Sequence, residues 1–215
     1  METLIKTNLT SLKEIKFSIY DSKKEYYGGS QNWFPKKSNQ LNGCGPVAAA
    51  NITAYLSQKF SYKFSDLSDF KDISNKNYFI EHMIEIRKFV IPGLYGLTSV
   101  QQFADNTLSY ANYRHTCLTP HILEDDTVSL NKAVEFLTLP LSQNLPIAIL
   151  VLTHPAKELE DYVWHWMTIT HLKLNPNDNN YYIVTSSYGG RHEINFNLLW
   201  NNRRAKDKIK FAYFD

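Results

Sequence analysis

The sequence predicts an α+β fold, in which helices come first along the chain and antiparallel strands follow. Two observations support this prediction. From Cys44 to about residue 144 the apolar residues recur at helical spacing, whereas from Pro146 onward they form short apolar or alternating runs. Because helices and strands do not alternate along the chain, a parallel βαβ arrangement is not expected.

Four segments have the apolar spacing or the boundary residues of helices. The first begins at Cys44, where Pro46 suits the first helical turn and Ala48, Ile52 and Leu56 recur on one face. The other three are residues 76–90, a helix capped by Thr98 that runs to about Tyr113, and residues 129–144.

Six segments are expected to be strands. The run from Pro146 to Leu152 is wholly apolar, which favours a buried central strand, and a turn is expected at Asn175–Asn180. The strands are predicted at residues 13–20, 146–152, 163–172, 181–186, 193–196 and 209–214. Residues 21–43 are expected to be a loop leading to the first helix.

The composition restricts the class of protein. A chain of 215 residues is expected to form one domain, residues 1–215, and its net charge of +2 does not favour nucleic acid as a partner. No apolar run approaches the ~20 residues of a membrane span, and no secretory signal is visible, so we expect a cytoplasmic protein. Two cysteines, Cys44 and Cys117, do not make a disulfide framework, although a single bridge between them stays open.

Cys44 has the sequence context of a nucleophile. It lies at the start of a predicted helix, between Gly43 and Gly45, which leave space for a substrate. Unpaired backbone N–H groups and the positive end of the helix dipole favour a thiolate, which is the reactive form. The sequence therefore predicts nucleophilic catalysis, which needs a base elsewhere in the chain.

His165 is the predicted base. It is one of seven histidines and opens a strand on which Val163, His165, Met167, Ile169 and His171 share a face. The second ring nitrogen of a base histidine needs a polar partner. The strand that ends at Ser186 can supply that partner, with Asp178 and Asn180 as alternatives.

These motifs together resemble papain-like cysteine peptidases, and most closely the branch that includes bacteriocin-leader-processing peptidases. The resemblance rests on Cys44-Gly45-Pro46, on His165-Trp166 and on Ser186-Ser187-Tyr188-Gly189. It implies a papain-like fold, with Cys44 as nucleophile, His165 as general base and Ser186 in place of the usual orienting amide. It also implies an oxyanion hole made by the Cys44 N–H and Gln31, with Gln40 as the second choice.

The resemblance implies a thiol hydrolase that acts on a peptide or another acyl or amide substrate, without metal or cofactor. Two alternatives stay open, namely a binding module with weak or lost catalysis and an acyl or peptidyl transferase that uses the same thiol. A third possibility is a metal site in the segment His115–His121, which contains two imidazoles and a thiol but lacks a fourth ligand. The sequence does not indicate an oligomeric state.

Overall fold

The computed structural model describes residues 12–124, 127–204 and 208–215, and within these ranges it contains both strands and helices. The strands are β1 (Ser18–Asp21), β2 (Lys24–Tyr27), β3 (Pro120–Leu123), β4 (Ile147–Val151), β5 (His165–Asn175), β6 (Asn180–Ser187), β7 (Gly190–Asn195) and β8 (Ile209–Phe214).

The α-helices are α1 (Lys37–Asn42), α2 (Cys44–Lys59), α3 (Ser61–Phe64), α4 (Lys76–Ile86), α5 (Val100–Tyr113), α6 (Leu130–Ser142) and α7 (Phe196–Asn201). Short 3-10 helices cover Gln31–Trp33, Ser65–Leu67 and Lys157–Tyr162. Within the described ranges, no helix combines the length and the apolar character needed to cross a membrane.

The fold is α+β, as the sequence predicts. Helices pack on a six-stranded sheet with the order β3-β8-β4-β5-β6-β7, and every neighbouring pair is antiparallel. The strands β1 and β2 form a separate hairpin. The strand β4 lies in the interior of the sheet and is buried over its whole length, which confirms the interpretation of its apolar run.

The predicted loop at residues 21–43 is corrected, because it contains β2, the 3-10 helix at Gln31–Trp33 and α1. The strands β1 and β3 and the helix α7 also differ from expectation: β1 only overlaps the predicted segment, and the other two were not predicted. The cap of α5 is Ser99 and not Thr98, since the Ser99 hydroxyl accepts from the Gln102 N–H. The strand β3 and the helix α7 cover only four and six residues, and alternation or helical spacing alone does not identify them.

The helix α2 is the element that connects the core to the site. Ala48, Ala49 and Ala50 are buried in it, and their small side chains allow the helix to approach the sheet closely. Asn51, also buried, donates to the Thr168 hydroxyl of β5 at 3.2 Å and accepts from the backbone N–H of Gly29 at 2.9 Å. The middle of α2 is thereby fixed against β5 and against the segment that follows β2.

Candidate active site

Cys44 is the first residue of α2 and lies partly buried behind the turn at Gly43. Burial raises the pKa of the Cys44 thiol, and this effect outweighs the backbone N–H groups of Trp166 and Gly45, which lower it. The resting group is therefore a thiol at neutral pH. The backbone N–H groups at the helix start favour the thiolate, as expected, but desolvation of the sulfur acts in the opposite direction and is the larger effect.

His165 opens β5 and is held on two sides. Its Nε2 lies 2.9 Å from the hydroxyl oxygen of Ser187, and its ring stacks on Tyr188 with the ring centres 4.8 Å apart and the planes within 4° of parallel. Burial, together with the nearby His192, lowers the pKa of His165 to about 4. The imidazole is therefore neutral at pH 7. When Nε2 donates to Ser187, Nδ1 carries no proton and can accept one.

The hydroxyl that contacts His165 belongs to Ser187, one residue beyond the predicted Ser186. Ser186 pairs with Thr168 across the two strands, and both side chains face Asn51 of α2. Ser186 also donates to the carbonyl oxygen of Tyr27 at 2.7 Å. Since neighbouring residues of a strand point to opposite faces, Ser187 lies on the face of His165 and Ser186 does not.

The alternative orienting residues lie at the other end of the same hairpin. Asp178 accepts from the Tyr182 hydroxyl and from the backbone N–H of Asn180, within the turn that joins β5 to β6. Asn180 pairs with Asn175 at the end of β5 opposite to His165. Both residues form the turn, and neither contacts the histidine.

Gln31 lies in the same cavity as Cys44 and His165. This cavity has a volume of about 10 Å³ and is also lined by Ser187 and Tyr188. The Gln31 side chain is buried, and its Nε2 donates to the Gln40 carbonyl oxygen at 2.6 Å. Within the described part of the chain, its Oε1 has no hydrogen-bond partner. The Gln31 amide is thus held through one N–H, which binds the backbone of Gln40.

Gln40 has a different place. Its Nε2 donates to the carbonyl oxygens of Asn32 and Phe34, at 3.2 and 2.8 Å, and its own carbonyl oxygen receives the Gln31 bond. It therefore supports the backbone of the segment that carries Gln31. Between the two glutamines, the one that reaches the cavity of Cys44 is Gln31.

His192 is close to the site and was not predicted from the sequence. Its Nε2 lies 3.2 Å from the Ser187 carbonyl oxygen, and its Nδ1 lies 3.4 Å from the Tyr162 hydroxyl. A positive charge on this ring would disfavour a second positive charge on His165. Only the pairing of β6 with β7 brings it to this position, so residue spacing alone could not have identified it.

The backbone on both sides of the histidine is unusual. Trp164 has a φ of 55° and Tyr188 a φ of 50°, which place two bulky residues in the left-handed region. Such conformations are uncommon outside glycine and persist where surrounding contacts hold them. Both residues lie at the open end of the β5–β6 hairpin, the end at which His165 lies.

The segment His115–His121 is not organised as a metal site. The His121 ring stacks on Tyr213 and lies beside the Asp215 carboxylate, while Cys117 is exposed. In the residues that the structure describes, no group of three or more histidine, cysteine or acidic side chains is placed to hold a metal ion. Cys44 and Cys117 are both free thiols, so the bridge that the sequence left open is not formed.

We compared the chain with models of known protein families and with curated protein sequences, and neither comparison gave a match. The assignment of a function therefore depends on the geometry of the site and on the motifs themselves.

Proposed function

We propose that the chain is a papain-like thiol hydrolase, which cleaves a peptide or another acyl or amide substrate through a thioester on Cys44. The main support is that Cys44, His165 and Gln31 line one cavity, although they are far apart in the sequence. The histidine in that cavity already has a polar partner and an aromatic cover. The motif resemblance to papain-like peptidases supports the same assignment.

In the first half of the reaction, neutral His165 accepts the proton of the Cys44 thiol as the sulfur attacks the substrate carbonyl carbon. The Sγ–C bond forms and the carbonyl electrons move to the oxygen. The backbone N–H of Cys44 and the second Nε2–H of Gln31 stabilise the negative charge on that oxygen. His165 then gives its proton to the leaving group as the bond to the carbonyl carbon breaks.

In the second half, water replaces the leaving group. His165 takes a proton from the water as its oxygen attacks the thioester carbon, and the same two N–H groups stabilise the oxyanion again. The C–S bond breaks, the sulfur regains its proton from His165, and the acid is released. Ser187 acts through His165 as a positioning residue.

The test is detection of the thioester. In a Cys117→Ser background, which removes the exposed thiol, the protein is mixed with an activated acyl ester and its intact mass is measured over time. We expect the mass to rise by one acyl group and then to return as the thioester hydrolyses. Cys44→Ala should abolish the acylation, and His165→Ala should slow both phases.

The two glutamines provide a matched comparison. Gln31→Ala should slow acylation by roughly 100- to 1,000-fold, the typical effect of losing one oxyanion donor. Gln40→Ala removes only contacts to Asn32 and Phe34, so it should lower stability and change the rate much less. A folded protein whose Cys44 is not acylated by any ester or peptide thioester would contradict the proposal and favour a binding module.

A further inference from the structure

A second and larger cleft also borders Cys44, and Gln31 does not line it. Its volume is about 360 Å³, and Leu150, Leu152 and Trp166 contribute to its lining. The segment Leu94–Thr98 forms the facing wall. Among the described residues that line it, none carries a formal charge at pH 7. A charged group placed among these residues would therefore meet no opposite charge in the lining itself, which makes its desolvation costly.

The rim of this cleft carries large apolar side chains that water reaches freely. Leu94 is 89% exposed, Leu41 of α1 76%, Tyr95 75% and Trp164 54%. Scattered exposed apolar residues are ordinary, but these four surround one opening beside one nucleophile. Apolar residues that cluster at such an opening are typical of a binding surface.

The wall formed by Leu94–Thr98 is fixed in place. The indole Nε1 of Trp164 donates to the Tyr95 carbonyl oxygen at 3.1 Å, and that of Trp166 donates to the Leu97 carbonyl oxygen at 2.6 Å. These two tryptophans flank His165 in the sequence. The same short segment therefore positions the base and holds the wall.

We propose that this cleft binds the apolar, uncharged part of the acyl group whose carbonyl Cys44 attacks. The proposal rests on the proposed function, because it places the reacting carbonyl at the sulfur where the two cavities meet. The ligand group that this cleft accepts is an uncharged hydrocarbon attached to the reacting carbonyl. Either a straight acyl chain or the apolar side chain of a peptide can supply it.

The experiment measures acylation of Cys44 by p-nitrophenyl esters in the Cys117→Ser background. The Sγ–C bond forms, the ester C–O bond breaks, and p-nitrophenol leaves with the thiol proton. Acetyl, butyryl, hexanoyl and octanoyl esters form one arm, and esters of N-acetyl-leucine and N-acetyl-aspartate form the other. We expect the second-order rate constant to rise by up to about four-fold per methylene buried, and the leucine ester to exceed the aspartate ester.

A charge on the rim should remove this preference. Leu94→Asp places a carboxylate at the opening, and because Leu94 is 89% exposed the substitution should leave the melting temperature unchanged. We expect the octanoyl-to-acetyl ratio to fall at least ten-fold. Ile91→Asp is the matched control, since Ile91 lies three residues before Leu94 and is 58% exposed but does not line the cleft. The octanoyl-to-acetyl ratio of this variant should equal that of the parent.

Binding of octanamide to the Cys44→Ala variant, followed by tryptophan fluorescence, separates this inference from the proposed function. Octanamide binding without acylation of the parent would support the cleft and contradict the hydrolase. Acylation that does not depend on chain length, or equal effects of the two aspartate variants, would overturn the cleft assignment and leave the hydrolase standing. A preference for chain esters over the leucine ester assigns a fatty acyl source, and the reverse assigns a peptide.

Discussion

Ser187→Ala should slow the acylation of Cys44, whereas Ser186→Ala should not. The Ser187 hydroxyl is the described hydrogen-bond partner of the His165 ring, at 2.9 Å from Nε2. A hydrogen bond between neutral groups contributes about 0.5–1.5 kcal/mol, which corresponds to roughly a 2- to 13-fold change in rate if the whole contribution acts on the transition state. We therefore expect a decrease of that size for Ser187→Ala.

The adjacent serine gives the matched control. Ser186 donates to the Tyr27 carbonyl oxygen and receives a bond from Asn51, so Ser186→Ala should lower the free energy of unfolding by about 1–3 kcal/mol. Its acylation rate, measured where the protein is fully folded, should stay within two-fold of the parent. Ser187→Thr keeps a hydroxyl on the same face and should restore most of the rate.

Two assays are needed, both in the Cys117→Ser background. Release of p-nitrophenol from an activated ester gives the acylation rate, and urea unfolding followed by circular dichroism gives the stability. If Ser186→Ala slows acylation more than Ser187→Ala, or if Ser187→Thr is as slow as Ser187→Ala, the assignment of Ser187 to the histidine is refuted.

Three further predictions concern protonation and backbone strain. The pKa of Cys44 is raised and that of His165 is lowered to about 4. The rate at which iodoacetamide alkylates Cys44 should therefore keep increasing with pH beyond the ordinary thiol pKa of about 8.5. A rate that is level from pH 5 to 8 would instead indicate a resting thiolate–imidazolium pair. Gly28→Ala should lower the free energy of unfolding by about 1–3 kcal/mol more than Gly96→Ala. Both glycines have a positive φ, but only at Gly28 would the new methyl group meet a neighbouring atom, the Ser186 hydroxyl oxygen at 2.1 Å. Equal losses in urea unfolding would contradict this prediction. Burial lowers the pKa of His82 to about 3, so below pH 6.5 this histidine is protonated in the unfolded chain but not in the folded protein. The free energy of unfolding should therefore fall as the pH falls, by up to about 1.4 kcal/mol per pH unit. The melting temperature of His82→Gln should fall less than that of the parent between pH 6.5 and 4, and an identical decline would refute the neutral state of buried His82.

Two elements were predictable because a distinct apolar pattern marks each of them, helical spacing in one and an unbroken apolar run in the other. The helix from Cys44 and the strand from Pro146 to Leu152 follow directly from their apolar patterns, and the structure has them as α2 and β4. Short segments lack such a pattern, so α1 and β3 were missed. Their conformations depend on contacts made by the rest of the fold, such as the pairing of β3 with β8.

The site was predictable in its residue types but not in its register. A histidine and a serine at two strand ends could be recognised in the sequence, but the choice between Ser186 and Ser187 depends on which residue lies opposite Thr168. A shift of one residue turns each side chain to the other face of the sheet. The protonation state also could not be predicted, because the desolvation of Cys44 depends on what packs around it.

The left-handed residues Trp164 and Tyr188 help to position His165 beside Cys44, although neither group of this pair is charged. A left-handed conformation costs roughly 1–2 kcal/mol for a residue with a side chain, so Trp164 and Tyr188 need compensating contacts. The indole of Trp164 receives one from the Tyr95 carbonyl, and the ring of Tyr188 receives one by stacking on His165. The Trp164 contact also holds the Leu94–Thr98 wall of the cleft, and the Tyr188 ring also covers His165. The strain at the ends of β5 and β6 is therefore located where it orients His165 and the cleft together.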